Sequence, residues 1–182
     1  MKHRSSLLLF LLLIFVVFTA GCQENTTIST SIQNTQKLPE LNLTVVSEKT
    51  EVKSGESFNI YLTLTNIGSN TLNVWEMYEQ ISYDISLISL ENNSSVKYTC
   101  PVISRPALTN EFLVELKPSE SLNSTSNSLC WNLDPGEYIL SAVYHTGGGE
   151  RISKTYWRGA VKSNEVLIKV VDTQSNLTAS LV

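Results

Sequence analysis

The stretch Phe58-Asn59-Ile60-Tyr61-Leu62-Thr63-Leu64-Thr65 decides the fold. Phe58, Ile60, Leu62 and Leu64 alternate with Asn59, Tyr61, Thr63 and Thr65. A period of two sends the two sets to opposite faces of a β-strand. One face is apolar and the other wet, the pattern of a strand in an antiparallel sheet with one solvated side. The same alternation recurs on both sides of it. Upstream, Leu41, Leu43 and Val45 alternate with Asn42 and Thr44, and the intervening Glu51-Val52-Lys53-Ser54-Gly55-Glu56 reads as a turn. Downstream, Asn66-Ile67-Gly68-Ser69-Asn70 is a second turn. Further strands are expected at Leu72–Val74–Trp75, at Tyr83–Ile85–Leu87 and at Phe112–Val114–Leu116. Tyr138, Leu140, Ala142 and Tyr144 mark another, and Val166, Ile168 and Val170 the last. No stretch carries an apolar stripe of helical period.

About seven short strands separated by turn signals predict an all-β chain, an immunoglobulin-like β-sandwich. Two local patterns point the same way. Leu133-Asp134-Pro135-Gly136-Glu137-Tyr138 places Tyr138 just after a turn at the start of a long strand. This resembles the tyrosine corner of Ig-like folds, whose hydroxyl bonds upstream backbone; a plain core aromatic is the alternative. The phrases Leu116-Lys117-Pro118-Ser119-Glu120-Ser121, then Leu133 to Tyr138, Trp157-Arg158-Gly159 and Ser163-Asn164-Glu165-Val166 together resemble the closing half of Ig-like modules of secreted prokaryotic proteins. Ser119 stands where those modules usually carry Gly. The Thr65-Asn66 and Tyr83-Asp84 pairs are similar to proteinase-inhibitor-type modules of the same architecture. These matches are made of turn and core positions, so they imply a fold and carry little function.

The N-terminus reads as an address. Lys2, His3 and Arg4 precede Leu7 to Phe18, 12 consecutive large apolar residues. A membrane-spanning helix needs about 20, whereas a secretory signal needs a basic start, a short apolar core and small residues after it. Thr19-Ala20-Gly21-Cys22 resembles the lipobox of prokaryotic lipoproteins, with Thr19 in place of the usual Leu. The resemblance implies cleavage before Cys22 and its acylation, which anchors by about 0.8 kcal/mol per buried CH₂. An ordinary cleaved signal or an uncleaved anchor is the alternative. The expected organisation is a signal peptide over 1–21, a lipid-anchored flexible stalk over 22–39, the sandwich over 40–172 and a disordered tail over 173–182. The Gln-, Asn-, Thr- and Ser-rich stretch from 23 to 39 has too few apolar residues to fold.

With Cys22 lipidated, Cys100 and Cys130 remain as an even pair, and export makes a disulfide between them the expected state over two free thiols. Closing that loop is worth about 3–4 kcal/mol in a chain-entropy account. The full chain has net charge −4; losing Lys2 and Arg4 takes the 13 basic residues to 11 against 17 acidic, or −6. An acidic balance excludes a basic nucleic-acid footprint and electrostatic adsorption to anionic lipid. Asn25, Asn42, Asn92, Asn93, Asn123 and Asn176 each begin an Asn-x-Ser/Thr sequon. Chance in a chain rich in Asn, Ser and Thr is one reading. N-glycosylation is the other, and sequons beside a lipobox resemble the surface lipoproteins of methanogen-type archaea.

No catalytic constellation is expected. His145 is the sole histidine outside the signal, only Asp84, Asp134 and Asp172 are available to orient it, and there is no G-x-S-x-G elbow. Gly147-Gly148-Gly149 lacks the Lys and Ser/Thr of a phosphate loop and reads as a hairpin between the last strands. No metal site and no cofactor are expected, because Cys100, Cys130 and His145 have no metal-ligand spacing and no calcium-loop pattern exists. Trp75, Tyr78, Tyr98, Trp131, Tyr156 and Trp157 fall near loops or strand ends. They either close the core or form a patch, with Trp75, Tyr78, Tyr156 and Trp157 the candidate binding residues. The function expected is a non-enzymatic lipoprotein on the extracellular side of the cell membrane, an interaction or structural module contacting an envelope or extracellular protein through residues 75–80 and 145–157. The alternatives are an extracellular protease inhibitor acting through residues 99–110, stiffened by Pro101, Pro106 and Cys100, and a carbohydrate-binding module using the aromatics.

Overall fold

The computed structural model describes residues 40–104, 107–147 and 151–172. The segments expected as signal, stalk and tail, with Cys22, Asn25 and Asn176, lie outside the described residues. The decisive stretch becomes β3 (Asn59–Asn66), the central strand of a three-stranded antiparallel sheet between β1 (Leu41–Ser47) and β7 (Ser121–Asn127). Its register sets Leu64 opposite Leu43 and Leu62 opposite Val45. Ile60, Leu62 and Leu64 are wholly buried; Thr63 and Thr65 face outward, bonded to Asn123 and Ser121 of β7.

The opposing sheet runs β2 (Glu51–Lys53), β10 (Val166–Val171), β8 (Gly136–His145), β5 (Tyr83–Ser89), with β9 (Ala160–Lys162) also on β8. β9 and β10 both lie on one side of β8, paired to its two halves. β4 (Leu72–Trp75) and β6 (Leu113–Leu116) form a separate antiparallel pair. The chain therefore crosses from one sheet to the other between β1 and β2, where β2 adds parallel to β10. Inward residues of both sheets, among them Val45, Leu62, Leu87, Leu140, Tyr144 and Ile168, share one core. The fold is an all-β Ig-like sandwich.

Three local expectations are corrected. Glu51–Lys53 is strand, not turn; the turn begins at Ser54 and closes by Glu56 N–H to Lys53 C=O at 2.9 Å. Val52 alone of the three is buried, too little apolar signal for a period-two reading. Ten strands are described rather than about seven, the additions being β2, β7 and β9. β7 reads Ser-Leu-Asn-Ser-Thr-Ser-Asn. Its inward Ser124 hydroxyl shares a hydrogen bond with Tyr83 Oη (2.9 Å), and Ser126 donates to Glu79, so satisfied polar groups take the place of apolar ones. Finally, β8 ends at His145 and β9 begins at Ala160, so the two strands are not joined directly at Gly147-Gly148-Gly149, of which Gly148 and Gly149 lie outside the described residues. Thr146 N–H bonds Gly159 C=O (3.0 Å) and Gly159 N–H bonds Thr146 Oγ1 (2.9 Å). Residues 148–150 lie outside the described ones.

The phrases read from the sequence have physical roles. Tyr138 Oη donates to Asp134 C=O at 2.8 Å, the bond of a tyrosine corner. In Trp157-Arg158-Gly159, a Cβ on Gly159 would stand 3.0 Å from the indole, and its φ is +152°, so only glycine fits. Asn66 is fully buried; its amide donates to the Asn70 and Leu116 carbonyls and accepts from Gly68 N–H.

Candidate functional site

The four aromatic candidates do not share a surface. Trp75 is 2% exposed, so its ring offers no face to a ligand; this corrects its place among the binding candidates. It is inward because β4 pairs with β6 beside the core, where its carbonyl accepts from the buried Tyr144 Oη at 2.9 Å. Burial pushes the Tyr144 phenol far above its ordinary pKa. The Trp75 Nε1 is buried with no hydrogen-bond partner among the described residues. Tyr156 packs edge-on against Trp75 (5.2 Å, 61° between planes), and Trp157 lies tilted on Tyr144 (6.0 Å). Tyr78 is exposed and edge-on to Phe112, its hydroxyl donating to Glu76 at 3.0 Å, which raises its pKa.

Tyr156, Trp157 and Arg158 line an open cleft of about 720 Å³ together with Leu72, Asn73 and Lys154. Arg158 sits over the Tyr156 ring at 4.9 Å. No coplanar exposed ring pair, the platform on which a sugar stacks, is present among the described residues. His145 Nε2 meets Asp84 Oδ2 at 2.9 Å, so the structure does join two residues weighed for a triad. No serine or threonine hydroxyl bonds that ring among the described residues. No cluster of three metal-ligating side chains occurs among the described residues. Asn42, Asn92, Asn93 and Asn123 are all exposed, the first on β1, the last on β7, the middle two on the turn after β5.

A second region is built differently. The 20 residues 90–109 connect β5 to the 3₁₀ turn Asn110–Phe112, and the described ones among them form no strand of their own. Connections of this length inside a compact domain are uncommon and usually functional. This one is fixed in place. Val96 N–H bonds Leu87 C=O (2.8 Å), continuing the β5 edge. Tyr98 pairs with Trp131, ring edge to ring at 5.0 Å, and Thr99 N–H bonds Cys130 C=O at 2.8 Å. Cys100 and Cys130 form a disulfide.

Beyond the bridge, the Gln80 side chain holds the chain. Its Nε2 donates to Pro101 C=O (3.3 Å) and to Tyr98 Oη (3.0 Å), while its Oε1 accepts Ile103 N–H (2.9 Å). Gln80 itself has φ +63°, fixed by its N–H to Tyr83 C=O at 2.8 Å. Past these restraints the chain projects apolar side chains into solvent: Val102 is 86% exposed, Ile103 48%, and Leu129, next to the bridge, 70%. Gln80 and Leu129 escaped sequence reasoning. Leu129 adjoins Cys130, a signal that was there to use; a glutamine that clamps a loop 21 residues away in sequence leaves none.

No protein-family model and no curated protein matches the chain. Among solved structures it is similar to the CARDB domain of the PF1109 protein from Pyrococcus furiosus, crystallised in complex with di-metal ions, at 15% identity and TM-score 0.40, covering 73% of this chain and 94% of that one. It is also similar to the sporulation control protein Spo0M from Bacillus subtilis, at 11% identity and TM-score 0.42, covering 74% of this chain and 50% of that one. These likenesses are low in identity and score, and the fold stands on the strand pairing described above.

Proposed function

We propose that the chain is an exported surface module, tethered through lipid on Cys22 to the outer face of a cell membrane, that binds an envelope or extracellular protein and performs no catalysis. The observation that carries the reading is the exposure of Val102 and Ile103 just past Cys100, and of Leu129 just before Cys130, on the two segments that the Cys100–Cys130 disulfide joins. Apolar side chains held out in water without a packing role mark interaction sites. A loop already ordered before contact loses little entropy on binding. The acidic net charge, −4 for the full chain, directs the reading to protein rather than nucleic acid or anionic lipid. No cofactor enters it. The contact is thereby moved from residues 75–80 and 145–157 to the loop that Gln80 supports.

The test is a photo-cross-linking residue placed at position 102, with a second at the equally apolar but distant Leu167, 48% exposed on β10. On intact cells, a discrete protein adduct from position 102 and none from 167 supports the proposal. No adduct from 102, or the same adducts from both, overturns it.

A further inference from the structure

Residues 151–158, Arg-Ile-Ser-Lys-Thr-Tyr-Trp-Arg, carry three cations and no acid. Lys49, Lys117, Lys162 and Lys169 each face a glutamate. Arg151, Lys154 and Arg158 form no ion pair among the described residues. In a chain of net charge −4, cations gathered without counter-charge reverse the sign locally. Lys154 and Arg158 both line the cleft of about 720 Å³, where Glu40 is the one acidic lining residue. Two cations against one carboxylate leave the cleft positive.

The backbone that carries these cations is held in place. Asn110 Oδ1 accepts Ser153 N–H (3.1 Å) and Lys154 N–H (3.2 Å), and its Nδ2 donates to Ser153 Oγ (2.8 Å). Asn73 on β4 restrains the next residues: its Nδ2 donates to Thr155 C=O (2.9 Å), and its own C=O accepts Trp157 N–H (2.8 Å). The Arg158 guanidinium carbon lies 4.9 Å from the centre of the Tyr156 ring. A guanidinium over a ring face keeps its in-plane N–H donors for an anion. The hydroxyls of Thr71 and Thr155, also in the lining, make no hydrogen bond among the described residues.

We propose that this cleft is a second binding site, for an anionic polysaccharide. Lys154 and Arg158 take its carboxylates or sulfates. The two threonine hydroxyls take sugar hydroxyls, and the half-buried Trp157 ring lines the wall beside them. A neutral sugar held by stacking needs exposed coplanar rings, and none are present among the described residues. Charge supplies the attraction here instead, at fixed positions that lose little entropy on binding. The cleft is open, which suits a chain passing through it. Arg151, in the same segment but outside the lining, continues the cationic track beyond the cleft, where a single small anion has no use for it. An acidic peptide could pair with the cations but brings few hydroxyls for the threonines. The site is independent of the contact at Val102.

The experiment titrates the full-length protein in detergent with polygalacturonate, dextran sulfate, unmodified dextran and poly-glutamate. The expected result is binding to polygalacturonate or dextran sulfate that weakens with added salt, and no binding to dextran. The tighter of the two identifies the anion as carboxylate or sulfate. Lys154→Ala and Arg158→Ala each weaken that binding about 5-fold, the scale of an exposed charge pair, and the double variant weakens it about 20-fold. Lys169→Ala, which removes a lysine already paired with Glu51, leaves it unchanged. Lys154 and Arg158 are both exposed, so their variants are read in folded protein, checked by an unchanged Tm. Failure to bind either anionic polysaccharide overturns the proposal, as does binding indifferent to the double variant. Equal affinity for poly-glutamate would make the cleft a site for any polyanion and overturns the polysaccharide reading.

Discussion

The side chain of Asn164 pairs with both backbone groups of Val45: Val45 N–H donates to Asn164 Oδ1 at 2.9 Å, and Asn164 Nδ2 donates to Val45 C=O at 3.0 Å. The residues are 119 apart in sequence, Val45 on β1 and Asn164 between two strands of the opposing sheet. β1 is an edge strand, and an edge leaves backbone groups unpaired. Asn164 stands in the break between β9 and β10 and satisfies two of them as a neighbouring strand would. Ser163 beside it does the same for β8, accepting Ala142 N–H at 2.9 Å.

Asn164→Ala removes both bonds and leaves the groups of a wholly buried residue partnerless. The expected cost is about 2 kcal/mol, set by the penalty for unsatisfied buried polar groups. Urea unfolding measures it, with Glu165→Ala as the control for surface change nearby. Equal midpoints for the two variants would show that the pairing holds nothing.

Ser119 is the position where the sequence departs from the glycine usual in similar modules, and the structure shows the consequence. The turn Lys117–Glu120 closes by Glu120 N–H to Lys117 C=O at 3.0 Å, and Ser119 within it has φ +67°. Pro at the second position and positive φ at the third define a type II turn, which favours Gly there. A non-glycine residue in this region costs about 1–2 kcal/mol, while Gly adds about 0.5–1 kcal/mol of chain entropy on folding. Ser119→Gly is therefore expected to stabilise by about 0.5–1 kcal/mol, or roughly 2–5 °C in Tm for a domain of this size. Ser119→Ala, which keeps the strain, is expected to give no gain. A thermal melt in which both variants behave alike would refute the turn argument.

How far the sequence revealed this molecule depended on whether a residue's role was local. β3 and β8 were legible because their side chains alternate between core and solvent, and core burial is what period-two alternation records. β7 was not, because its inward Ser124 and Ser126 are satisfied by Tyr83 and Glu79 from elsewhere in the chain. The disulfide followed from counting cysteines, and the restraint beside it from Cys100 and Pro101, while Pro106 lies outside the described residues. Gln80 did not follow, since its role appears only once the fold brings it to Pro101 and Ile103. Trp75 looked like a strand-end aromatic, and only the β4–β6 pairing showed that strand end to be inside.

Tyr144 makes the stability of the sandwich fall at alkaline pH. Its hydroxyl is buried, and burial holds its folded pKa well above the value of about 10 that it has in the unfolded chain. A pKa raised by folding contributes stability that is complete below the unfolded pKa and is lost as pH rises toward the folded one. Tyr83 is raised by burial as well and acts in the same direction. The protein is thus expected to keep its fold through about pH 9 and to lose stability progressively above about pH 10. Phenolate absorbance should rise in step with loss of near-ultraviolet dichroism. Tyr144→Phe gives up the bond to Trp75 C=O, about 1 kcal/mol at neutral pH, but should move the alkaline midpoint upward. A midpoint unchanged in pH by that substitution would place the alkaline sensitivity elsewhere.

The tether and the bridge are tested together by the intact mass of the mature protein taken from native membranes. Cleavage and acylation at Cys22 are expected to give a chain that starts at that residue and carries acyl groups, released only by detergent. Cys22→Ser is expected to move the protein out of the membrane fraction, because one polar stalk has no other means of holding to a bilayer. Reduction should then add two protons, from Cys100 and Cys130. It should also lower the unfolding midpoint by the equivalent of about 3 kcal/mol, the chain-entropy value for a loop of this length. Mass beyond the acylated chain, removable by deglycosylation, would mark which of the exposed sequons at Asn42, Asn92, Asn93 and Asn123 is occupied. A mature mass without lipid, or one retaining residues 1–21, would refute the anchored module, and the loop at Val102 would then belong to a protein acting away from the cell surface.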